Sequence, residues 1–390
     1  MKNALEKISF YFKTISGYIK TAPNRANTKK QHHLHIVFCT VDHYEPGTGG
    51  VDSQTEEKRV DDLLNKYPEL ACKHTDSAGN IPKRTWFFPP HYHRNYSLKK
   101  LVSLCEKGFG EVELHLHHGK TKPDTPENLE RTITQCIEEY SKFGIFGTQG
   151  GKRKYGFIHG DWALNNSRSN AYCGVNNEID ILIKTGCYAD FTFPSMKESN
   201  PSQINSVYYA AEGKNEPKSY DRGRHVKKGD EKTGGLMMVQ GPVYPYCIDN
   251  KLSGLRMFGD VIDGTVPVDS KRINKWVETA IHIDGVPNVI FIKTHTHGAT
   301  DHKAVLGEEM DMIFSHLESA YRDSPNHSLH YVTSREMFNI INAIKDGKDP
   351  ADIEHYRDYL ISHPEYDSSP DISGASEELD QLTFSTYPRC

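Results

Sequence analysis

From residue 34 onward, short apolar runs alternate with helix-periodic segments that carry readable ends, and this alternation constrains the fold more than any other feature. Such a series folds as a largely parallel sheet with helices packed against it. Eight runs have strand character: 34–41 (LHIVFCTV), 84–88 (RTWFF), 111–117 (EVELHLH), 155–159 (YGFIH), 189–193 (ADFTF), 236–240 (LMMVQ), 288–293 (NVIFIK) and 329–332 (LHYV). Between them, Ser97 opens a helix that Gly108 stops, Thr125 with Pro126 starts one ending near Gly144, another ends at Gly186, and Ser270 and Ser334 open two more. The expected class is α/β, with enough strands to close a barrel.

Three regions break the rhythm. Residues 1–31 read as an amphipathic helix and a linker, with Leu5, Ile8, Phe12, Ile15 and Ile19 at helical spacing and lysines between them. Lys13 and Lys20 interrupt any signal-peptide core, which leaves a helix packed on the main domain or a peripheral membrane contact through residues 1–20. Within the main domain, 32–347, the insertion at about 199–235 is polar and rich in Lys, Arg, Asp and Gly, the composition of a long lid-like loop. Residues 348–390 form a C-terminal extension, expected to be partly disordered from about Pro364.

Composition removes several function classes. With 47 Lys+Arg against 52 Asp+Glu the formal charge is −5, so no global basic field draws the chain to nucleic acid. The sequence has no apolar run of membrane-spanning length. The eight cysteines are scattered without a CxxC pair, as expected of reduced packing residues in a cytoplasmic protein. Neither a GxxxxGK[ST] loop nor a GxGxxG turn after a strand supports nucleotide binding.

Chemistry in a βα series gathers where the carboxyl ends of the strands converge, and five strands end in unusual groups: Asp42-His43-Tyr44-Glu45, His115-Leu116-His117-His118, His159-Gly160-Asp161-Trp162, Pro194-Ser195 and Thr294-His295-Thr296-His297. Period-two alternation puts His115 and His117 on one strand face, with His118 just beyond. Together with an acid from a neighbouring strand, imidazoles at this spacing suit one divalent metal: zinc first, with cobalt, nickel or iron as alternatives. His295 and His297 are alternate residues as well, and either can act as general acid or base. Tyr44 and Trp162 read as aromatics for stacking on a sugar ring, with Glu45, Asp161, Asn165, Asn166 and Asp190 as groups for its hydroxyls.

The order and content of these motifs resemble the polysaccharide deacetylase superfamily, carbohydrate esterase family 4, over roughly residues 34–335. Thr40-Val41-Asp42-His43 is similar to the family's Thr-Phe-Asp-Asp strand end. Glu111-Val112-Glu113-Leu114-His115 resembles the motif that brings a metal-binding histidine, Gly186-Cys187-Tyr188-Ala189-Asp190 resembles its Gly-Tyr-x-x-Asp, and Ile292-Lys293-Thr294-His295 its late Leu-x-His. The chain departs from the pattern at three points. His43 replaces the second aspartate, Gly119 stands where the second histidine of His-x3-His belongs, and His159-Gly160-Asp161-Trp162 stands in place of Arg-Pro-Pro-Tyr.

The resemblance implies a distorted (β/α)7 barrel and a metal-dependent hydrolase that removes an N-acetyl group from a saccharide or polysaccharide precursor. It implies metal binding by His115, by His117 or His118, and by Asp42 or His43. Asp42 acts as base where it is not a ligand, and His295 or His297 as acid. Two alternatives remain: another metal-dependent or carboxylate-pair carbohydrate hydrolase acting on an ester or glycosidic bond, and a non-catalytic glycan-binding barrel.

Overall fold

The structure, a computed structural model, describes residues 2–90, 95–231, 234–248 and 255–370. All eight expected strands form, several shifted by one to three residues. They are β1 (Leu34–His43), β2 (Arg84–Phe88), β3 (Gly110–Leu116), β4 (Tyr155–His159), β5 (Cys187–Asp190), and, after two strands in the insertion, β8 (Leu236–Val239), β10 (Val289–Thr296) and β11 (His327–Tyr331). The insertion supplies β6 (Val207–Ala210) and β7 (Gly223–His225), and β9 (Val261–Ile262) precedes β10. All belong to one sheet of order β9-β10-β1-β2-β3-β4-β5-β8-β6-β7, with β11 pairing β1. Pairing is parallel from β9 across to β8, and antiparallel where β6 meets β8 and β7.

β1 is the hub. Its residues 35–42 pair with β10, while its other edge is shared, residues 34–38 taking β11 and 40–43 taking β2. A strand flanked on both edges and covered on both faces must be apolar nearly throughout, and nine of its ten residues are buried. Val37, Phe87, Ile158, Ala189, Met237 and Phe291, from six strands, join one core on one side of the sheet with Ile340 and Ile344 of the helix Ser334–Lys345. On the other side lie two further cores. One includes residues of the helices Ser53–Ala71, Asn95–Cys105 and Pro126–Ser141, the other of Ser270–Glu278 and Glu308–Leu317. Each fully buried large apolar side chain contributes about 1.5–3 kcal/mol relative to exposure.

Helix ends follow local chemistry, with small displacements from the sequence reading. Thr125 caps Pro126–Ser141 as expected, but Asp269 rather than Ser270 caps Ser270–Glu278, and Thr333 rather than Ser334 forms a capping box with Glu336. The helices Ser53–Ala71 and Glu308–Leu317 have no counterpart among the expected elements.

Three expectations are corrected. Residues 199–235 are not simply a loop, because β6 and β7 extend the sheet and Tyr208 donates its hydroxyl to Tyr220 O. Part of the linker is a second helix, Ala22–Thr28, tied down by Thr28 Oγ1 donating to Pro287 O. The extension is ordered as far as residue 370: Arg335 and Asn339 both donate to Ile361 O, and Ser368 bonds Glu106. Residues 371–390 lie outside the described set.

The first helix, Lys2–Lys20, meets the body through Thr14 and Gly17, the latter so close to Ile204 that a Cβ would sit 2.9 Å from its side chain. Of its apolar stripe, Phe12, Ile15 and Ile19 therefore face outward, at 71, 44 and 63% exposure, and the side chains of Leu5 and Ile8 lie outside the described ones. No helix among the described residues is long and apolar enough to cross a membrane.

Candidate functional site

The carboxyl ends of β1, β3, β4 and β10 bring five imidazoles, two carboxylates and an indole together. On β3, alternation sends Val112, Leu114 and Leu116 into a helix-packed core. Glu111, Glu113 and His115 take the other face, where Glu111 pairs with Arg335, Glu113 accepts from Tyr188, and His115 reaches the site.

His115 Nδ1 lies 2.9 Å from Ile158 O. A carbonyl only accepts, so Nδ1 carries the hydrogen and Nε2 presents its lone pair. His117 repeats the arrangement with a carboxylate: Nδ1 is 3.0 Å from Asp161 Oδ2, and Nε2 is 2.8 Å from Glu45 Oε1 and 3.1 Å from His115 Nε2. Glu45, His115 and His117 thus offer three ligand atoms within 4.8 Å of one another, a group able to hold a metal ion. Hydrogen-bonded Nδ1 partners that fix ring orientation are the usual support of histidine ligands. Burial, then the neighbouring His117, lowers His115 to about 3, whereas the carboxylates of Glu45 and Asp161 overcome burial and raise His117 to about 9.

His43 adds an Nε2 that is buried without a hydrogen-bond partner among the described residues, and its ring centroid lies 5.1 Å from His115, 5.5 Å from His295 and 4.9 Å from His297. Burial and then these like-charged neighbours hold it well below the ordinary imidazole range.

On β10, His295 Nδ1 lies 2.6 Å from Asp260 Oδ1, and Lys293 Nζ lies 2.8 Å from the other oxygen. Against the effect of burial, His295 and Lys293 keep Asp260 below the usual carboxylate range. The dyad fixes the tautomer of His295, leaving Nε2 to act as acid or base. Gly241 makes room for it, since a Cβ there would meet Asp260 Oδ2 at 2.1 Å. Trp162 packs edge-on to His295 and His297, at 6.1 and 6.2 Å between centroids, with Lys197 Nζ 4.6 Å over its ring.

Several expected site residues have other tasks. Asp42 points its carboxylate to Arg84, Thr296 Oγ1 and Gly298 N, at 3.2, 2.8 and 2.8 Å, so it anchors the turn after β10 as one half of a buried ion pair and is not placed as the base. Tyr44 is fully buried beside Phe88 and stacks on nothing in the site. Asn165 accepts from Ser219 and donates to Asn176 O, and Asn166 cross-links Asn170, Gly174 and Asn176, which leaves neither amide for a sugar. Asp190 caps the turn at Thr192, and burial lifts it to about 7. Glu45 and Asp161 do belong to the site, as partners of His117.

His118 does not complete the His115–His117 set. It belongs to a second group able to hold a metal ion, with His159, Cys173 and Glu178. Cys173 was expected to be a packing residue, and Asp260 had no signal in the sequence, because its tie to His295 spans 35 residues of irregular spacing. Comparison of the chain with protein-family models, with curated proteins and with solved structures finds no match.

Proposed function

We propose that the chain is a metal-dependent hydrolase of the polysaccharide deacetylase type, acting on the N-acetyl group of a saccharide or polysaccharide precursor. One observation carries this reading: a ligand set of two oriented histidines and a carboxylate lies beside an independently oriented Asp260–His295 dyad. We take the sheet, whose strands β1, β2, β4, β5, β8 and β10 share a core on one side, as a distorted (β/α)7 barrel.

His115, His117 and Glu45 would hold the metal, and the buried, unpartnered Nε2 of His43 belongs to the ring packed against His115. A divalent ion there supplies Lewis acidity and lowers the pKa of a water towards neutrality. Ile158 O and Asp161 hold the two ligand rings, and Trp162 shields the histidines from solvent on one side. Water adds to the amide carbonyl as His295 Nε2 takes its proton, and the same group returns that proton to the departing nitrogen as the C–N bond breaks, with Asp260 holding the ring through Nδ1. The products are acetate and an amino sugar.

The outward stripe Phe12, Ile15 and Ile19, flanked by Lys13 and Lys20, supports peripheral contact with a membrane where a lipid-linked precursor resides. The deciding experiment measures metal content and acetate release from N-acetylated oligosaccharides for the full chain, His115→Ala and His295→Ala. The reading expects His115→Ala to lose occupancy and rate together, and His295→Ala to lose rate alone. Undiminished activity in metal-free protein would overturn it, and oligosaccharide binding without turnover would favour a non-catalytic glycan-binding barrel.

A further inference from the structure

Behind the site just described, His118, His159, Cys173 and Glu178 meet in a fully enclosed cluster. His118 follows β3, His159 ends β4, Cys173 lies in the connection after β4, and Glu178 opens the helix Glu178–Thr185. Exposure is 8% for His118 and 0% for the other three.

Proton accounting sharpens what this cluster is for. His118 Nδ1 lies 3.0 Å from Asp124 Oδ2, and His159 Nδ1 lies 2.6 Å from Gly160 O. Both partners accept, so in the neutral rings both Nδ1 atoms carry the hydrogen and both Nε2 atoms present lone pairs. Those lone pairs face each other at 2.9 Å, and face Glu178 Oε1 at 3.1 and 3.6 Å. With both rings neutral these three acceptors converge on one another, and the Cys173 thiol donates to the other oxygen of Glu178. One added proton would satisfy a single contact, whereas a cation at the centre satisfies all three.

The fourth corner is a buried sulfur, which burial and then the Glu178 carboxylate hold above the usual thiol range. Cys173 Sγ receives the backbone N–H groups of Asn166 at 3.2 Å and Val175 at 3.4 Å, and its S–H donates to Glu178 Oε2 at 3.4 Å, a hydrogen that a bound cation would replace. Gly174, at φ +98°, allows the turn that brings Val175 N back to the sulfur, and a Cβ there would press on Asp124 N at 2.7 Å. A thiolate, two imidazoles and a carboxylate would make a four-ligand set suited to zinc, and four protein ligands are the mark of a structural site.

We propose that His118, His159, Cys173 and Glu178 bind a second metal ion, zinc by its ligand chemistry, which serves as a structural staple for the reactive site. Between His159 and Glu178 the backbone is unusual. Seven of the twelve non-glycine residues with positive φ among the described residues fall there, including Trp162, Ser169 and Tyr172 at 52°, 53° and 64°. Such conformations persist only where the surroundings over-determine them. This same connection carries Asp161, which orients His117, and Trp162, which packs on His295. The staple holds both ends of the connection and its middle.

The test uses the full chain loaded with Co(II), read by metal stoichiometry and by near-ultraviolet absorption. The proposal expects two ions per chain and a thiolate-to-cobalt charge-transfer band. C173A should keep one ion and lose the band, whereas H115A should also keep one ion but retain the band, so this inference and the hydrolase reading fail separately. A wild-type chain without the band, or C173A with undiminished stoichiometry, overturns the proposal. Should C173A fail to fold, the wild-type band and its loss on chelation decide alone.

Discussion

His117 and His118 are consecutive in the chain yet serve different clusters: Nε2 of His117 lies 2.8 Å from Glu45, and Nε2 of His118 lies 3.1 Å from Glu178. His117→Ala should abolish acetate release while leaving the melting transition of the metal-loaded protein nearly unchanged. His118→Ala takes one partner from half-buried Asp124, which keeps Thr125 N and Asn128 Nδ2, and one from fully buried Glu178, which keeps Asn165 N, a loss of about 1–3 kcal/mol. Calorimetry beside metal analysis of both variants checks the division, and a reversed pattern would exchange the two roles.

Asp260 acts through His295 and should reveal itself in rate rather than in metal content. With Asn at 260 the ring loses its fixed tautomer, and kcat should fall by about 10²-fold or more. Metal stoichiometry should be unchanged, because Asp260 lies outside the group able to hold the ion. An unaltered kcat would show that the dyad is not part of the chemistry.

Asp42 makes the opposite prediction. Asp42→Ala leaves the Arg84 guanidinium buried and unpaired, which should cost about 3–5 kcal/mol in urea unfolding. The folded fraction should keep its metal. A stable but inactive variant would instead return Asp42 to the role of base.

Glu113, buried between Tyr188 and Gly156 N, is pushed by burial up to about 8 in the folded chain. Its unfolded value is about 4.5. A folded pKa above the unfolded one gives stability that is complete below pH 4.5 and is lost as the pH rises towards 8. In that window the loss approaches ~1.4 kcal/mol per pH unit. Glu113→Gln should flatten this slope in denaturant titrations from pH 5 to 8, and an unchanged slope would contradict it.

Much of the frame is legible because parallel strands buried on both faces must be continuous apolar runs, and RTWFF and YGFIH form strands over the full length of those runs. The strands of the insertion were hidden because VYYA sits among lysines, aspartates and glycines that read as loop. In the site, alternation exposed His115 and His117 correctly but could not reveal that His118 turns to the other cluster. That turn depends on Asp124 and Glu178, 6 and 60 residues away. Asn165 and Asn166 misled for a related reason. Their amides looked free for a sugar, yet the left-handed backbone around them consumes those hydrogen bonds itself.

The pairing of β1 has a consequence in time. Thr40 and Thr294, whose hydroxyls lie 3.3 Å apart, are separated by 254 residues. At roughly 5–20 residues per second a growing chain exposes β1 for some 10–50 seconds before β10 exists. The Cys173 cluster spans far less, from His118 to Glu178, and can close while synthesis continues. His43 and His295 meet only near the end, so the nascent chain completes its scaffold first and becomes reactive last.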